Sequence, residues 1–468
     1  MPSQRKSQRS GRHRSFCLFS ILIVLISAGV LQADPGTLSD QTIQQITKSV
    51  ADIRGLAVRK KIPVRQMSRK ELSEYIRKEL KQDLSPARAR KFERTLQAFG
   101  LFPRDKQLMQ TLEDLLVRSI AGFYEPDTDK LFLIQEPENG NGTQGFNPFG
   151  KSLKQLGIKP QELHASHELT HALQDQHFNL GTLPFRDDDN DDRVMAQKAL
   201  IEGEATYVMY EYLLQKQGLS FDKVMSNFKP MVERLLFSDT PVYAGADAPL
   251  FVQKMLIFPY MAGLLFVRDG FSSNEDGKWT NLNRAYVDMP TSTEQILHPE
   301  SYFDDRDPPE WPDLPEMKGM KEGGYSFLQE NRFGEYGIHL LLLKHLEGKR
   351  EQIRQARTGW DGDVYRTYAN ASGDRFRYLW MTTWDSEADA REFASLYRVV
   401  LKKKLDEPTS MNRSGRQLFV DRDGRLSFVH RMGEDVLIGE GVPLNGAGST
   451  IRRAWQNTSW SSPETAGN

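Results

Sequence analysis

The spacing of apolar and polar positions divides the chain into a helical first part and a mixed last part. From Leu38 to Leu116, apolar residues recur at intervals of three and four among many Lys, Arg, Gln and Glu, the period of amphipathic helices. Two short runs follow, Ala121 to Pro126 and Leu131 to Ile134, rich in aromatic and aliphatic residues. They bracket the polar turn Asp127-Thr-Asp-Lys130, so the pattern predicts a β-hairpin. Glu136 to Lys151, rich in Gly, Asn and Pro, predicts an exposed loop. A helix is expected from Pro160, a residue suited to a first-turn position, to about Phe178. The charged run Arg186 to Arg193 predicts a loop, and a second helix should extend from about Val194 to Gln217, stopped by Gly218. More helix is expected to about Asp269, then an irregular Pro-, Asp- and Gly-rich region to about Gly324.

The last third reads differently. Phe333 to Leu346 predicts a helix, Arg377 to Trp384 a strand, and Ser386 to Leu405 an amphipathic helix capped by Ser386. Arg416 to Val420, Leu426 to Arg431 and Asp435 to Glu440 predict short strands joined by Asp-Gly and Gly-Glu turns. The chain beyond Ser459 is expected to be disordered, and no internal repeat is visible. The expected fold class is α+β. A mainly helical region with a β-hairpin occupies 34–320, its core at about 118–300. A smaller α+β C-terminal domain follows at 321–460, then a tail at 461–468.

The N-terminus changes the picture of where the protein works. Arg5, Lys6, Arg9, Arg12 and Arg14 precede an apolar stretch from Phe16 to about Leu31, with no acidic residue before Asp34. A basic segment followed by a short apolar one predicts export, with 1–33 as signal peptide or N-terminal anchor. The apolar stretch approaches the ~20 residues that a membrane span needs, so a membrane tether is the rival to cleavage. Removing this leader removes the only cysteine, Cys17, so a metal site in the body must use His and carboxylates. It also leaves 57 Lys+Arg (62 − 5) against 63 Asp+Glu, a mildly acidic body without Lys/Arg-rich runs. That balance gives no reason to expect a nucleic-acid partner.

Candidate chemistry concentrates in one segment. Four of the nine histidines, His164, His167, His171 and His177, fall within fourteen residues. Residues four apart on a helix share a face, so His167 and His171 can direct imidazole nitrogens at one ion. Glu168, turned aside by one residue, can act on water beside that ion as general base. A catalytic zinc usually takes three protein ligands. Glu202 and Glu204, 31 and 33 residues beyond His171 on the next expected helix, are the candidates for the third. Ala199 and Ala205 share the face of Glu202, and Gly203, costly in a helix interior, suggests close helix packing. His164 reads as packing or support, Asp175 as a group that orients a ligand histidine, and His177 as a helix-end residue. His298, in a Pro- and Ser-bearing loop, is the first choice for stabilising the oxyanion of the reaction. Tyr124, Tyr207 and Tyr260 are further choices. The alternation Asp187, Asp189, Asp191 lacks the Gly and Glu of a calcium loop and reads as a solvated acidic segment.

The motif His167-Glu-Leu-Thr-His171 with Glu202-Gly-Glu-Ala205 resembles the gluzincin metallopeptidases, in which a second helix supplies a glutamate ligand. The resemblance selects Glu202 over Glu204, although the spacing is longer than in the commonest types. The wider string His167 to Phe178, with Ala121-Gly-Phe-Tyr124 and Ser292-Thr-Glu-Gln-Ile-Leu-His298, is similar to uncharacterised bacterial proteins presumed to be metallopeptidases. Gly359-Trp-Asp-Gly-Asp-Val-Tyr365 and Trp384-Asp-Ser-Glu-Ala-Asp-Ala390 extend that similarity. What the resemblance implies is a zincin-like region with Zn2+ on His167, His171 and Glu202, acting on a peptide or protein substrate with Glu168 and His298 as catalytic groups. The alternatives are a non-catalytic envelope or secreted binding protein on the same scaffold, and a zinc hydrolase of non-peptide amides. The oligomeric state is not legible.

Overall fold

The computed structural model describes residues 38–135, 160–183, 190–243, 247–271, 277–406, 408–413 and 416–461. The expected leader, the loop after Glu136, Asp187 and Asp189, and the last seven residues lie outside these. The fold is α+β: a helical body carries a small three-stranded sheet, and a seven-stranded antiparallel sheet follows in the C-terminal third.

The first part is built from short helices, the first three capped by serine: α1 (Asp40–Arg54), α2 (Arg69–Asp83), α3 (Pro86–Ala98) and α4 (Leu108–Ser119). Ser39, Ser68 and Ser85 each accept a hydrogen bond from a first-turn amide, and Ser68 with Glu71 completes a reciprocal capping box. Gly55, at φ +70°, closes α1 in the left-handed conformation that glycine adopts without strain. Between α1 and α2 lies a strand inside the stretch that sequence periodicity assigns to helix: β1 (Val64–Met67). It pairs in parallel with β3 (Lys130–Ile134), which in turn forms the expected hairpin with β2 (Gly122–Glu125). Among the described residues the order β1-β3-β2 leaves one side of β2 unpaired, and α5 (Pro160–Phe178) packs against β2 and β3.

Helices α5, α6 (Asp191–Gln215), α7 (Phe221–Phe237) and α8 (Leu250–Asp269) form the centre of the molecule. The residues of α6 and α8 are buried almost all round, so these are interior helices with no solvent stripe. By length and composition α8 alone, among the described residues, could cross a membrane, but its apolar window is 89% buried in the protein. The region to Gly324 holds the short helical turns Thr280–Ala285, Thr293–Leu297 and Glu300–Phe303 and the strand β4 (Trp311–Asp313).

The large sheet has the order β5-β6-β7-β11-β10-β9-β8, from β5 (Ser326–Asn331), β6 (Trp360–Ala369), β7 (Phe376–Trp384), β8 (Thr409–Arg413), β9 (Arg416–Val420), β10 (Leu426–Met432) and β11 (Asp435–Val442). Helices α9 (Gly334–His345), α10 (Arg350–Arg357) and α11 (Glu387–Lys404) accompany it, and α12 (Ala447–Asn457) packs with Leu314, Met320 and Leu379 in a separate small cluster. The segment β12 (Ser459–Ser461) pairs with β4, so order extends slightly past the expected end.

The boundary expected at 320/321 does not separate two cores. One hydrophobic cluster runs from Ile43 to Ile438. Phe99 at the end of α3 meets Phe333, Tyr365, Tyr378 and Trp380, and Thr95 hydrogen-bonds Thr367 of β6 at 2.8 Å. The first turn of α6 is part of the same junction. Asn331 Oδ1 accepts the Asp191 amide at 2.8 Å, and Asp192 accepts the Thr293 amide and hydroxyl. Burial raises the Asp192 carboxyl to about 7, and the nearby Asp363 and Glu335 add to this against the Thr293 hydrogen bonds.

A carboxyl raised in the folded state contributes stability that is present below its unfolded pKa of about 4 and is lost as pH rises through about 7. We therefore expect Tm to fall from pH 5 to pH 8 by a smaller amount in Asp192→Asn than in the parent. Parallel slopes in calorimetry at both pH values would exclude this contribution.

Candidate metal centre

Pro160 opens α5, where its missing amide costs nothing, and the helix continues to Phe178 as expected. His167 and His171 therefore lie one turn apart, with ring centroids 4.7 Å from each other. Their partner comes from α6. Glu202 Oε2 lies 3.2 Å from His167 Nε2 and 3.3 Å from His171 Nε2. The three side chains are fully or almost fully buried, and their ligand atoms all lie within 4.8 Å of one another, so the group could hold a metal ion.

Several buried polar atoms here have no hydrogen-bond partner among the described residues: His171 Nε2, Glu202 Oε1 and Glu168 Oε1. His171 Nε2 is near Glu202 but not aligned for a hydrogen bond. Unsatisfied buried polar atoms are costly and call for a missing ligand. The protonation of the group carries the same message. Burial would pull His171 down, yet the Glu202 charge outweighs it and raises the imidazole to about 9. Burial would push Glu202 up, but the two imidazoles hold it well down. A proton on His171 thus supplies positive charge that a cation would replace, and binding would release it.

The choice between the two glutamates follows from helix geometry. Residues two apart on a helix point in nearly opposite directions. Glu202 faces the histidines, while Glu204 faces away and pairs with Arg54 of α1, whose Nε is 2.7 Å from its Oε1. The rotation of α6 is set by a close crossing with α8. A Cβ at Gly203 would fall 2.1 Å from the Gly263 carbonyl carbon, and one at Gly263 would fall 2.0 Å from the Ala199 oxygen. The close packing anticipated at Gly203 is thus against α8, and it brings Tyr260 to the group. The Tyr260 hydroxyl hydrogen-bonds Glu202, and its ring stacks on His167 with centroids 6.1 Å apart.

Glu168 is positioned by the hairpin. Its Oε2 accepts the Tyr124 amide at 2.7 Å across the open edge of β2. Burial raises this carboxyl to about 8, and the Glu202 charge adds to it, against the lowering influence of His171 and the Tyr124 amide.

The remaining candidates occupy other places. Asp175 accepts the Tyr124 hydroxyl at 2.9 Å, so it supports the hairpin and not a ligand histidine. The group that touches His171 Nδ1 is Gln174 Oε1, at 2.7 Å, a contact that sequence reading missed. Its only signal was a spacing of three residues from His171, on a polar run that continues with Asp175 and Gln176. His164 is buried outside the three-ligand group, and His177 Nε2 meets the Ala57 carbonyl at 2.8 Å. Tyr207 is bound to Asp222 and Lys278. His298 ends the turn Thr293–Leu297, where its Nε2 lies 3.1 Å from Glu335 Oε2, and Glu335 also pairs with Arg357. Tyr260, and not His298, is the candidate oxyanion donor that the structure joins to Glu202. Asp191 begins α6 as a helical residue capped from Asn190, not as part of a calcium loop.

The architecture therefore defines a protein with a buried His-His-Glu group that could hold a metal ion, flanked by a second carboxylate, Glu168. A family described as a domain of unknown function (DUF8575) matches residues 325–452, the region of the large sheet and outside the metal group. No curated protein and no solved structure matches the chain.

Proposed function

We propose that the protein is an exported zinc-dependent metallopeptidase in which His167, His171 and Glu202 hold the zinc and Glu168 is the general base. The convergence of two buried imidazole nitrogens and a buried carboxylate oxygen, with polar atoms left unsatisfied among the described residues, carries this reading. Two nitrogens and one oxygen suit zinc, whereas calcium and magnesium favour all-oxygen shells. When bound, zinc supplies Lewis acidity that polarises a carbonyl and acidifies water.

The rest of the chemistry belongs to side chains of the chain itself. Glu168, held at Oε2 by the Tyr124 amide, has Oε1 free to take a proton from the attacking water and pass it to the leaving amine. The Tyr260 hydroxyl, which donates to Glu202, would turn its hydrogen to the oxyanion as that charge develops. A purely structural site has no use for the adjacent Glu168. Because all these groups are buried, the substrate class we propose is an unstructured polypeptide and not a folded surface.

The test is metal content together with hydrolysis of an unfolded protein. The parent should carry about one zinc per chain and lose hydrolysis to a chelator. Glu202→Ala should lose both metal and activity. A zinc-replete parent that cleaves no polypeptide would sink the peptidase reading in favour of a non-catalytic scaffold or a hydrolase of other amides.

A further inference from the structure

We propose that Arg54, Glu204 and Gln174 form a buried relay that orients His171 for metal binding, which makes the N-terminal helix α1 part of the metal centre. The proposal rests on the metal-site reading above. It starts from the Gln174 amide, whose two ends are told apart by their neighbours. Its Nε2 lies 3.0 Å from the Ile201 carbonyl oxygen and 3.0 Å from Glu204 Oε1. Both of these atoms accept only, so the nitrogen must face them and the oxygen must face His171. Gln174 Oε1 is 2.7 Å from His171 Nδ1, which therefore carries the hydrogen. In the neutral ring that a metal would bind, this fixes the tautomer and makes Nε2, on the side where Glu202 lies, the nitrogen left for the ion. Ligand histidines are commonly held in this way through their second nitrogen.

Gln174 is itself held. The Tyr286 hydroxyl accepts from its Nε2 at 2.8 Å. Glu204 is neutralised by Arg54, and both side chains are 0% exposed. Arg54 in turn donates to Asn283 Oδ1 at 2.8 Å and lies over the Trp279 ring, 4.4 Å from its centroid. A buried ion pair is weak grounds for stability alone, since apolar residues fill such space as well. Here the pair terminates a directional chain that ends on a metal ligand. Arg54, Glu204 and Gln174 are positioning residues, because they act through His171.

The test compares the full chain with Gln174→Glu, Glu204→Gln and the double exchange. Zinc affinity is read by competition with a chromophoric chelator, and the site by the visible spectrum of bound cobalt. Each single variant should weaken zinc about 10–100-fold, the usual cost of losing a group that supports a ligand. Gln174→Glu sets two carboxylates together, and Glu204→Gln leaves Arg54 buried without its anion. The double exchange reverses the pattern. A carboxylate at 174 accepts from His171 and from the amide at 204, whose oxygen faces Arg54, while the Ile201 carbonyl loses the donor it has in the parent. Affinity should then rise above that of the worse single, and the cobalt spectrum should shift back toward the parent's. A parent that binds neither metal would overturn the metal-site reading itself. Given a binding parent, unchanged singles, a double no better than the worse single, or a lowered metal-free Tm with an unaltered cobalt spectrum would each overturn the relay.

Discussion

Glu168→Gln should retain zinc at the parental level while losing about 10²–10⁴-fold in kcat, the usual contribution of a positioned general base. The amide is nearly isosteric, and its oxygen can keep the 2.7 Å hydrogen bond from the Tyr124 amide, so the hairpin and α5 remain in register. His167, His171 and Glu202 do not depend on Glu168 for their mutual approach. What the variant lacks is a lone pair able to take a proton. In the metal-free protein, burial raises Glu168 to about 8, with the nearby Glu202 charge adding to that shift. A cation in the group would lower it, since a bound divalent ion is the largest local charge and favours the ionised carboxylate. The base is thereby moved toward the operating range by the same event that completes the site. Metal analysis and hydrolysis of an unfolded polypeptide check this together. Parental turnover in the variant would remove Glu168 from the mechanism, whatever the zinc content.

How much of this was legible depended on whether the signal was local. The bounds of α5 follow from Pro160 and an unbroken helical pattern, and the hairpin from two apolar runs around Asp127 to Lys130. His167, Glu168 and His171 follow from spacing along one helix. The preference for Glu202 over Glu204 came only with the gluzincin resemblance, because which face of α6 turns inward depends on its crossing with α8. β1 was hidden for a related reason. It has four residues, largely exposed, and is a strand only because β3 pairs with it. β6 carries Asp361, Gly362 and Asp363, residues that disfavour strands. The structure accommodates Asp363 by using its carboxylate to accept the Phe333 and Gly334 amides at the start of α9. Gln174 and Asp175 are equally plausible supports for His171 by spacing, and only the packed side chains distinguish them. His298 was placed by loop composition, which says nothing of the buried Glu335 and Arg357 that engage it.

Gly263→Ala should be the most damaging single substitution discussed, because it separates the helices that assemble the site. A methyl group at 263 would lie 2.0 Å from the Ala199 carbonyl oxygen and 2.8 Å from its carbon. These are backbone atoms, so no side-chain rotation can relieve the contact, and α6 and α8 must move apart. Alanine would gain about 1 kcal/mol of helix propensity over glycine, which a clash of this depth overwhelms. A loss of more than about 4 kcal/mol is expected, the range reserved for disrupted cores and lost backbone contacts. The consequence extends to chemistry, since Glu202 rides on α6 and Tyr260 on α8, and the Tyr260–Glu202 hydrogen bond spans the crossing. Gly218→Ala is the informative comparison. Gly218 has φ +69° with nothing within 4 Å of a Cβ, so its substitution carries backbone strain of about 1 kcal/mol and no collision. Thermal unfolding should therefore place Gly263→Ala far below Gly218→Ala, and zinc affinity should fall only in the former. Equal Tm values for the two would mean that the crossing of α6 and α8 yields without cost, and that it does not set the geometry at Glu202.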